Sequence, residues 1–278
     1  MMTLELVKPH LSEGRFASIT ALTDESLFKQ IGVRIAFTQR WGGVSKGAYE
    51  SLNLGSHVDD ESALVLENRR IVRSAFGVGA APCIIPRQVH GTRVLSVSST
   101  KDAASVQCVA ERGADGIIVG CSQVSALLCF ADCMPVIIVS PTGHFAVVHA
   151  GWRGVESEIA AAAVRELAAL DAPVLGAQAA SMFNGYIGPY IHGECFEVSP
   201  EIHGGFTKKF GMSCAFDANH IDLGQAQKVS LRASGMQEER IADADACTVC
   251  CPDRYFSYRF QEGVCGRHGA FAVCVKED

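Results

Sequence analysis

A chain of 278 residues, 48% hydrophobic, 19% charged and with a net charge of -6, is long and apolar enough to bury a substantial core. That balance argues against a general nucleic-acid or membrane-surface binder and points to a small-molecule or protein partner. No apolar run reaches membrane-spanning length and the first ten residues lack a secretory apolar segment, so a cytoplasmic location is expected.

Residues 31–40 (IGVRIAFTQR) read as a strand that runs into a glycine-rich loop, Trp41-Gly42-Gly43-Val44-Ser45-Lys46-Gly47. Leu64, Leu66, Ile71, Ala75 and Phe76 recur at helical spacing and predict a helix over 62–76. Two short β-rich pieces flank residues 87–91, and GADGIIVG and SALLCFADC add further strands. The alanine-rich segment 156–170 has the highest intrinsic helix propensity in the chain. A strand and loop, GYIGPYIHGECFEV, follow, then a helix over 223–234, a polar loop-rich stretch and a closing strand. Strands outnumber helices and hairpin-length loops join several of them. The expected fold is therefore α+β, with mixed, sandwich-like β-sheets and helices packed outside. No repeat or linker interrupts the chain, so one domain over 1–278 is expected, with 1–30 as an N-terminal extension of it.

Twelve cysteines are spread along a chain large enough to fold without staples, and most read as reduced, buried thiols. Two carry more. VIIV (136–139) and FAVV (145–148) are β-rich runs separated by strong turn residues, Ser140-Pro141-Thr142-Gly143, so the chain doubles back there. If Val139 pairs with His144, Cys133 and Met134 come beside Ala150 and His149. Whether Cys133 and His149 then share a face depends on a one-residue register choice or a bulge. His90, in RQVHGT at a strand end, is a third candidate. Taken singly, each of the three is more often an ordinary structural residue than a ligand. Together they make a His2Cys set, which suits zinc and leaves one coordination position for water or substrate.

Five separated motifs, RQVHGT, ADC-x-P, HAGWRG, GYIGPYIHGECFEVSPEI and the closing CT…FSYR…GR, resemble the YfiH family, once described as multicopper polyphenol oxidase or laccase-like proteins. The resemblance spans about residue 31 to the C-terminus and implies a YfiH-like fold with His90, Cys133 and His149 as metal ligands. It further implies a zinc enzyme, with copper as the other reported metal. The implied reactions are phosphorolysis of adenosine, inosine, guanosine and methylthioadenosine, and deamination of adenosine. Purine nucleosides and phosphate are then the expected partners, no nucleic acid or membrane is, and a homodimer is left open. The chain departs from many relatives at residues 57–61, which read HVDDE rather than HVGDD. It departs again at residues 257–263, where Phe260 and Gln261 stand in place of an arginine and an aspartate.

Phosphorolysis needs phosphate held beside the ribose, and arginines in glycine-rich loops suit that task. Arg40, before Trp41-Gly42-Gly43, and Arg153, just before the alanine-rich helix, are the candidates. Packing of Arg153 on Trp152 is an equal alternative. Asp132 could shuttle a proton in deamination, although strand alternation turns it away from Cys133 and favours a supporting role nearly as well. Asn53 and Tyr258 could contact ribose or base, or simply be structural, and His57 and His192 are further pocket candidates. Cys247-Thr248-Val249-Cys250-Cys251 offers zinc-knuckle spacing at one end only, so no separate structural zinc is expected there. The resemblance places Cys247 near the pocket. Two other classes compete with the zinc enzyme: a copper-dependent phenol oxidase on the same ligands, disfavoured by the lack of further histidine clusters, and a metal-free cysteine hydrolase using Cys133 and His149.

Overall fold

A computed structural model describes residues 5–275. In chain order the strands are β1 (Ser12–Phe16), β2 (Ile19–Thr23), β3 (Val33–Thr38), β4 (Cys83–Ile84), β5 (Val94–Val97), β6 (Gly116–Val119), β7 (Ser125–Phe130), β8 (Met134–Val139), β9 (Phe145–Ala150), β10 (Asn184–Ile187), β11 (Ile241–Asp243) and β12 (His268–Cys274). The helices are α1 (Glu25–Ile31), α2 (Ser62–Ala75), α3 (Ala103–Ala110), α4 (Trp152–Glu156), α5 (Ile159–Leu175), α6 (Pro200–Phe210) and α7 (Leu223–Ala233). Two six-stranded mixed sheets form, in the orders β1-β2-β3-β12-β7-β4 and β11-β10-β8-β9-β6-β5. The fold is thus α+β, as the strand and helix patterns predict.

Side-chain alternation divides the core into layers. Ile35, Phe37, Leu128 and Ala272 of the first sheet meet Ile117, Ile137, Val147 and Tyr186 of the second, forming the apolar layer between the sheets. The opposite face of the second sheet, with Val136, Ile138, Ala146 and Val148, is covered by α5, α6 and α7. The outer face of the first sheet packs on Val72 and Phe76 at the end of α2. Both faces of β8 and β9 are therefore buried, which is why their sequences read as continuous apolar runs rather than alternating ones.

Residues 1–30, expected as an extension of the same domain, include β1, β2 and most of α1, and β2 pairs antiparallel with β3; residues 1–4 lie outside those described. Other expectations are corrected in detail. The alanine-rich helix begins at Ile159 rather than at residue 156, because Glu158 takes a left-handed conformation (φ 58°) that breaks the path from α4. It then continues through Pro173 to Leu175. Helix α6 is not among the predicted elements because Gly204 and Gly205 lower its propensity, although Ser199 and Pro200 supply a strong N-terminal signal: the Ser199 hydroxyl accepts from the Ile202 N–H.

The hairpin register also differs from the assumed one. Ser140 and His144 close a three-residue loop, with Gly143 at φ 91°, and Val139 pairs with Phe145 rather than His144. His149 consequently lies opposite Pro135. Alternation then assigns His149, Pro135 and Cys133 to one face, the face between the sheets, so alignment rather than a bulge resolves the geometry.

Candidate metal centre

The three predicted ligands meet where the chain crosses between the sheets. Cys133 ends the short link from β7 in the first sheet to β8 in the second, and His90 lies in the link from β4 to β5, which makes the same crossing. His149 is the penultimate residue of β9. Their ligand atoms all lie within 4.8 Å of one another, and burial grades from exposed His90 through half-buried Cys133 to buried His149. The group therefore opens on one side.

A residue absent from the sequence-based candidates organises this group. Asp115, fully buried just before β6, accepts hydrogen bonds from the His90 N–H (2.9 Å), the Gly91 N–H (2.8 Å) and Nδ1 of His149 (2.8 Å), with longer contacts from Val89 N–H. Its carboxylate thus holds the loop that carries His90, which adopts φ 57°, and occupies the Nδ1 side of His149. The Nε2 atom of His149 is left for the cluster, the arrangement in which a carboxylate orients a metal-binding histidine. Burial opposes the Asp115 carboxylate, but the bonds from His149, Gly91 and Val89 outweigh it and keep the pKa below the usual aspartate value. The signal was a lone acidic residue in GADG, ahead of an apolar strand.

Charge is paired within the cluster itself. Burial opposes the Cys133 thiolate, yet His149 and then His90 draw its pKa down to about 6. Burial likewise opposes a charged His149, but the Cys133 thiolate and Asp115 raise its pKa to about 9. The cluster thus stabilises a thiolate, the form in which cysteine binds a metal. Space is reserved for it as well. A Cβ on Gly151 would stand 3.1 Å from Cys133 Sγ and 3.2 Å from a ring carbon of His90, so glycine leaves the ligand heads unobstructed. Two imidazoles, one thiolate and an open side fit zinc, and they also suit copper.

A cavity of about 520 Å³ opens over the cluster, lined by all three candidate ligands together with His57, Tyr258, Arg259 and Arg267. That volume suits a small organic ligand. An adjoining cavity of about 620 Å³ shares His57, Gln88 and Cys129 with it but carries none of the triad. Burial, followed by the charges of Arg267 and Arg69, lowers the pKa of His57, so its ring is neutral at neutral pH.

The other candidates divide. Asp132 lines the cavity, but one carboxylate oxygen accepts from the Thr248 hydroxyl (2.6 Å) and the other from the Arg259 N–H (2.7 Å), a supporting arrangement. Arg153 is exposed and stacks 4.1 Å over the Trp152 ring, while Trp152 itself reaches the cavity. Arg40 donates to the carbonyls of Glu50 and Pro252 and lies over Phe256, away from the cavity lining. Asn53 is buried, bonded to Asp60 and Gly55 and accepting from the Arg267 N–H. Cys247 lies outside the lining, close to Glu194, Cys195 and Cys250. The cations that do line the cavity are Arg259 and Arg267, from the FSYR and GR motifs.

Fold and site together define a class, and comparison with known proteins agrees with it. The profile of the family described as multi-copper polyphenol oxidoreductase laccase matches residues 34–275, and the chain belongs to that family. Purine nucleoside phosphorylase YlmD of Bacillus subtilis is 30% identical over 251 residues, covering 87% of this chain and 88% of the relative. Adenosine deaminase RL5, from an unknown prokaryotic organism, is 32% identical over 238 residues, covering 82% and 88%. The crystal structure of YlmD from Geobacillus stearothermophilus superposes with a TM-score of 0.81 at 27% identity, covering 95% of this chain and 99% of that one. The Bacillus licheniformis YfiH structure shares the fold with a TM-score of 0.81 at 24% identity. Among the described residues no helix is long and apolar enough to cross a membrane.

Proposed function

We propose that this chain is a zinc-dependent purine nucleoside enzyme. It cleaves adenosine, inosine and guanosine with phosphate to free base and ribose 1-phosphate, cleaves methylthioadenosine to adenine and 5-methylthioribose 1-phosphate, and deaminates adenosine to inosine. The observation that carries this reading is the His90, Cys133, His149 cluster at a cavity whose wall bears two arginines, in a chain whose relatives are named for these two reactions.

In phosphorolysis the bond between ribose C1′ and the purine nitrogen breaks, a C1′–O bond to phosphate forms, and the departing base takes up a proton. Arg259 and Arg267 supply positive charge on the cavity wall for the phosphate, replacing Arg40 and Arg153 in that role. Asp132 positions Arg259 through its backbone N–H. His57, neutral and on the same wall, can exchange a proton with the base. In deamination, water adds at purine C6 and ammonia leaves. Zinc held by the triad would supply Lewis-acid polarisation in the cavity. Asp115 keeps His149 oriented for either reaction.

A second reading is favoured by the paired charges of Cys133 and His149, with Asp115 behind the imidazole: a metal-free cysteine hydrolase. It gives His90 no necessary role. The deciding experiment measures metal content and product formation from inosine and adenosine, with and without phosphate, in the wild type and in His90→Ala. Loss of about one zinc ion per chain and of both activities in the variant supports the nucleoside enzyme. Full activity in metal-free protein overturns it, as does an absence of hypoxanthine and ammonia from zinc-loaded protein.

A further inference from the structure

The loop after β10 and the loop before β12 bring together residues that are far apart in sequence. The ligand atoms of Glu194, Cys195, Cys247 and Cys250 all lie within 4.8 Å of one another. We propose that these four side chains form a second metal site, closed and structural, that takes one zinc ion.

Spacing is the first argument. Cys195 Sγ and Cys250 Sγ are 3.5 Å apart, and Cys250 Sγ is 3.9 Å from a Glu194 oxygen. A disulfide requires about 2.05 Å, whereas ligands about 2.3 Å from a tetrahedral zinc stand roughly 3.8 Å from each other. Both separations are too long for a disulfide and close to the spacing of zinc ligands. All three cysteines are free thiols.

The second argument is that the backbone sets this spacing without help from an ion. Tyr190 and Cys247 form a parallel bridge, with the Tyr190 N–H donating to Ala246 (3.2 Å) and the Thr248 N–H to Tyr190 (3.0 Å). The Cys251 N–H returns to the Cys247 carbonyl (3.0 Å), a turn that folds Cys247 and Cys250 towards one side. On the other loop the Cys195 N–H donates to the His192 carbonyl at 3.0 Å. The His192 N–H in turn points to Cys247 Sγ at 3.5 Å, which ties that sulfur to the other loop. Cys247 is buried while Cys250 and Glu194 are exposed, so an ion can reach the site from solvent.

Donor chemistry selects the ion. Three thiolates and one carboxylate suit zinc and disfavour magnesium or calcium, and four protein ligands leave no position for substrate. The position in the fold shows what such an ion would secure. Ile191 and Phe196 line the cavity over the His90, Cys133, His149 cluster, and Thr248 holds Asp132. A zinc ion here would fasten the loop bearing Phe196 to the loop bearing Thr248, and so fix one wall of that cavity.

Zinc content is measured on full-length protein equilibrated with zinc and then desalted, for the wild type, Cys250→Ser, His90→Ala and the double variant. The expected result is about two ions per chain in the wild type, about one in each single variant and none in the double variant. Cobalt replacement separates the two sites: the intense thiolate-to-metal absorption of a three-cysteine site should survive His90→Ala and be lost in Cys250→Ser. Should Cys250→Ser not fold, Glu194→Gln at an exposed side chain tests the same site through faster loss of one ion to chelator. Unchanged zinc content in Cys250→Ser overturns the proposal, as does a wild type whose single ion is removed entirely by His90→Ala. Either result leaves the nucleoside assays of the first site unaffected.

Discussion

Asp115 shows how much of a candidate metal centre can rest on a residue that offers it no ligand. Its two oxygens receive the backbone of the His90 loop and the ring of His149, so replacing it with asparagine would set an amide N–H against one of those donors. Asp115→Asn should weaken zinc affinity by about 10–100-fold while the ligands themselves remain, as read by competition with a chromogenic chelator. Unchanged affinity would remove Asp115 from the site. Cys133 supplies a second prediction at this scale. With its pKa near 6, the thiol of chelator-treated protein should be alkylated with a midpoint near pH 6 rather than near the ordinary value of 9.0, and zinc should suppress the reaction. A midpoint near 9 would mean that His149 and His90 do not stabilise the thiolate.

Among the elements, the β8–β9 hairpin and the turn into α4 decide whether the ligands converge. The three-residue loop places His149 opposite Pro135; a register one residue shorter would turn His149 and Cys133 to opposite faces. Gly151, which caps α4, has φ -64° and ψ 170°, a backbone any residue can adopt. Gly151→Ala should therefore leave the fold intact and act by contact alone, because the new Cβ would press on Cys133 and His90. The expected outcome is an unchanged circular dichroism spectrum with zinc affinity reduced by at least about 10-fold; normal zinc binding would show that the cluster yields. The turn residues and β-rich runs were legible in the sequence, and so was the hairpin. Its register was not, because Ser140 to His144 can close more than one loop length and only pairing of β8 with β10 as well as β9 settles the choice.

Across the whole molecule, the layer between the sheets carries a titratable group that the motifs did not single out. His268, at the start of β12, lies in that layer's rim near Phe130 and Tyr255, and burial followed by the charge of Arg267 pushes its pKa down to about 3 from 6.5. The folded state keeps this ring neutral while the unfolded chain protonates it below about pH 6.5, so its contribution to stability is complete above that pH and is lost progressively as pH falls towards 3. His268→Phe should accordingly flatten the acid side of the stability curve, with the difference from wild type changing by on the order of 2–3 kcal/mol between pH 7 and pH 4 in urea unfolding. A difference that does not vary with pH would show that His268 titrates normally in the folded protein.

Local chemistry and periodicity determined a great deal from the sequence alone: the α+β class, the β8–β9 turn-back, helices α2 and α7, and a thiol and two imidazoles at strand ends. Those properties depend on residues within one turn or one strand of each other. The tertiary structure decided which distant groups share a space. It put Arg259 and Arg267 on the cavity wall instead of Arg40 and Arg153, set Asp115 behind His149, and drew Cys247 and Cys250 to Glu194 and Cys195 rather than to the first cluster. The reason is topological. The chain crosses from one sheet to the other at the links carrying His90 and Cys133, and such crossings follow from burying both faces of β8 and β9, a condition that no short window of sequence contains.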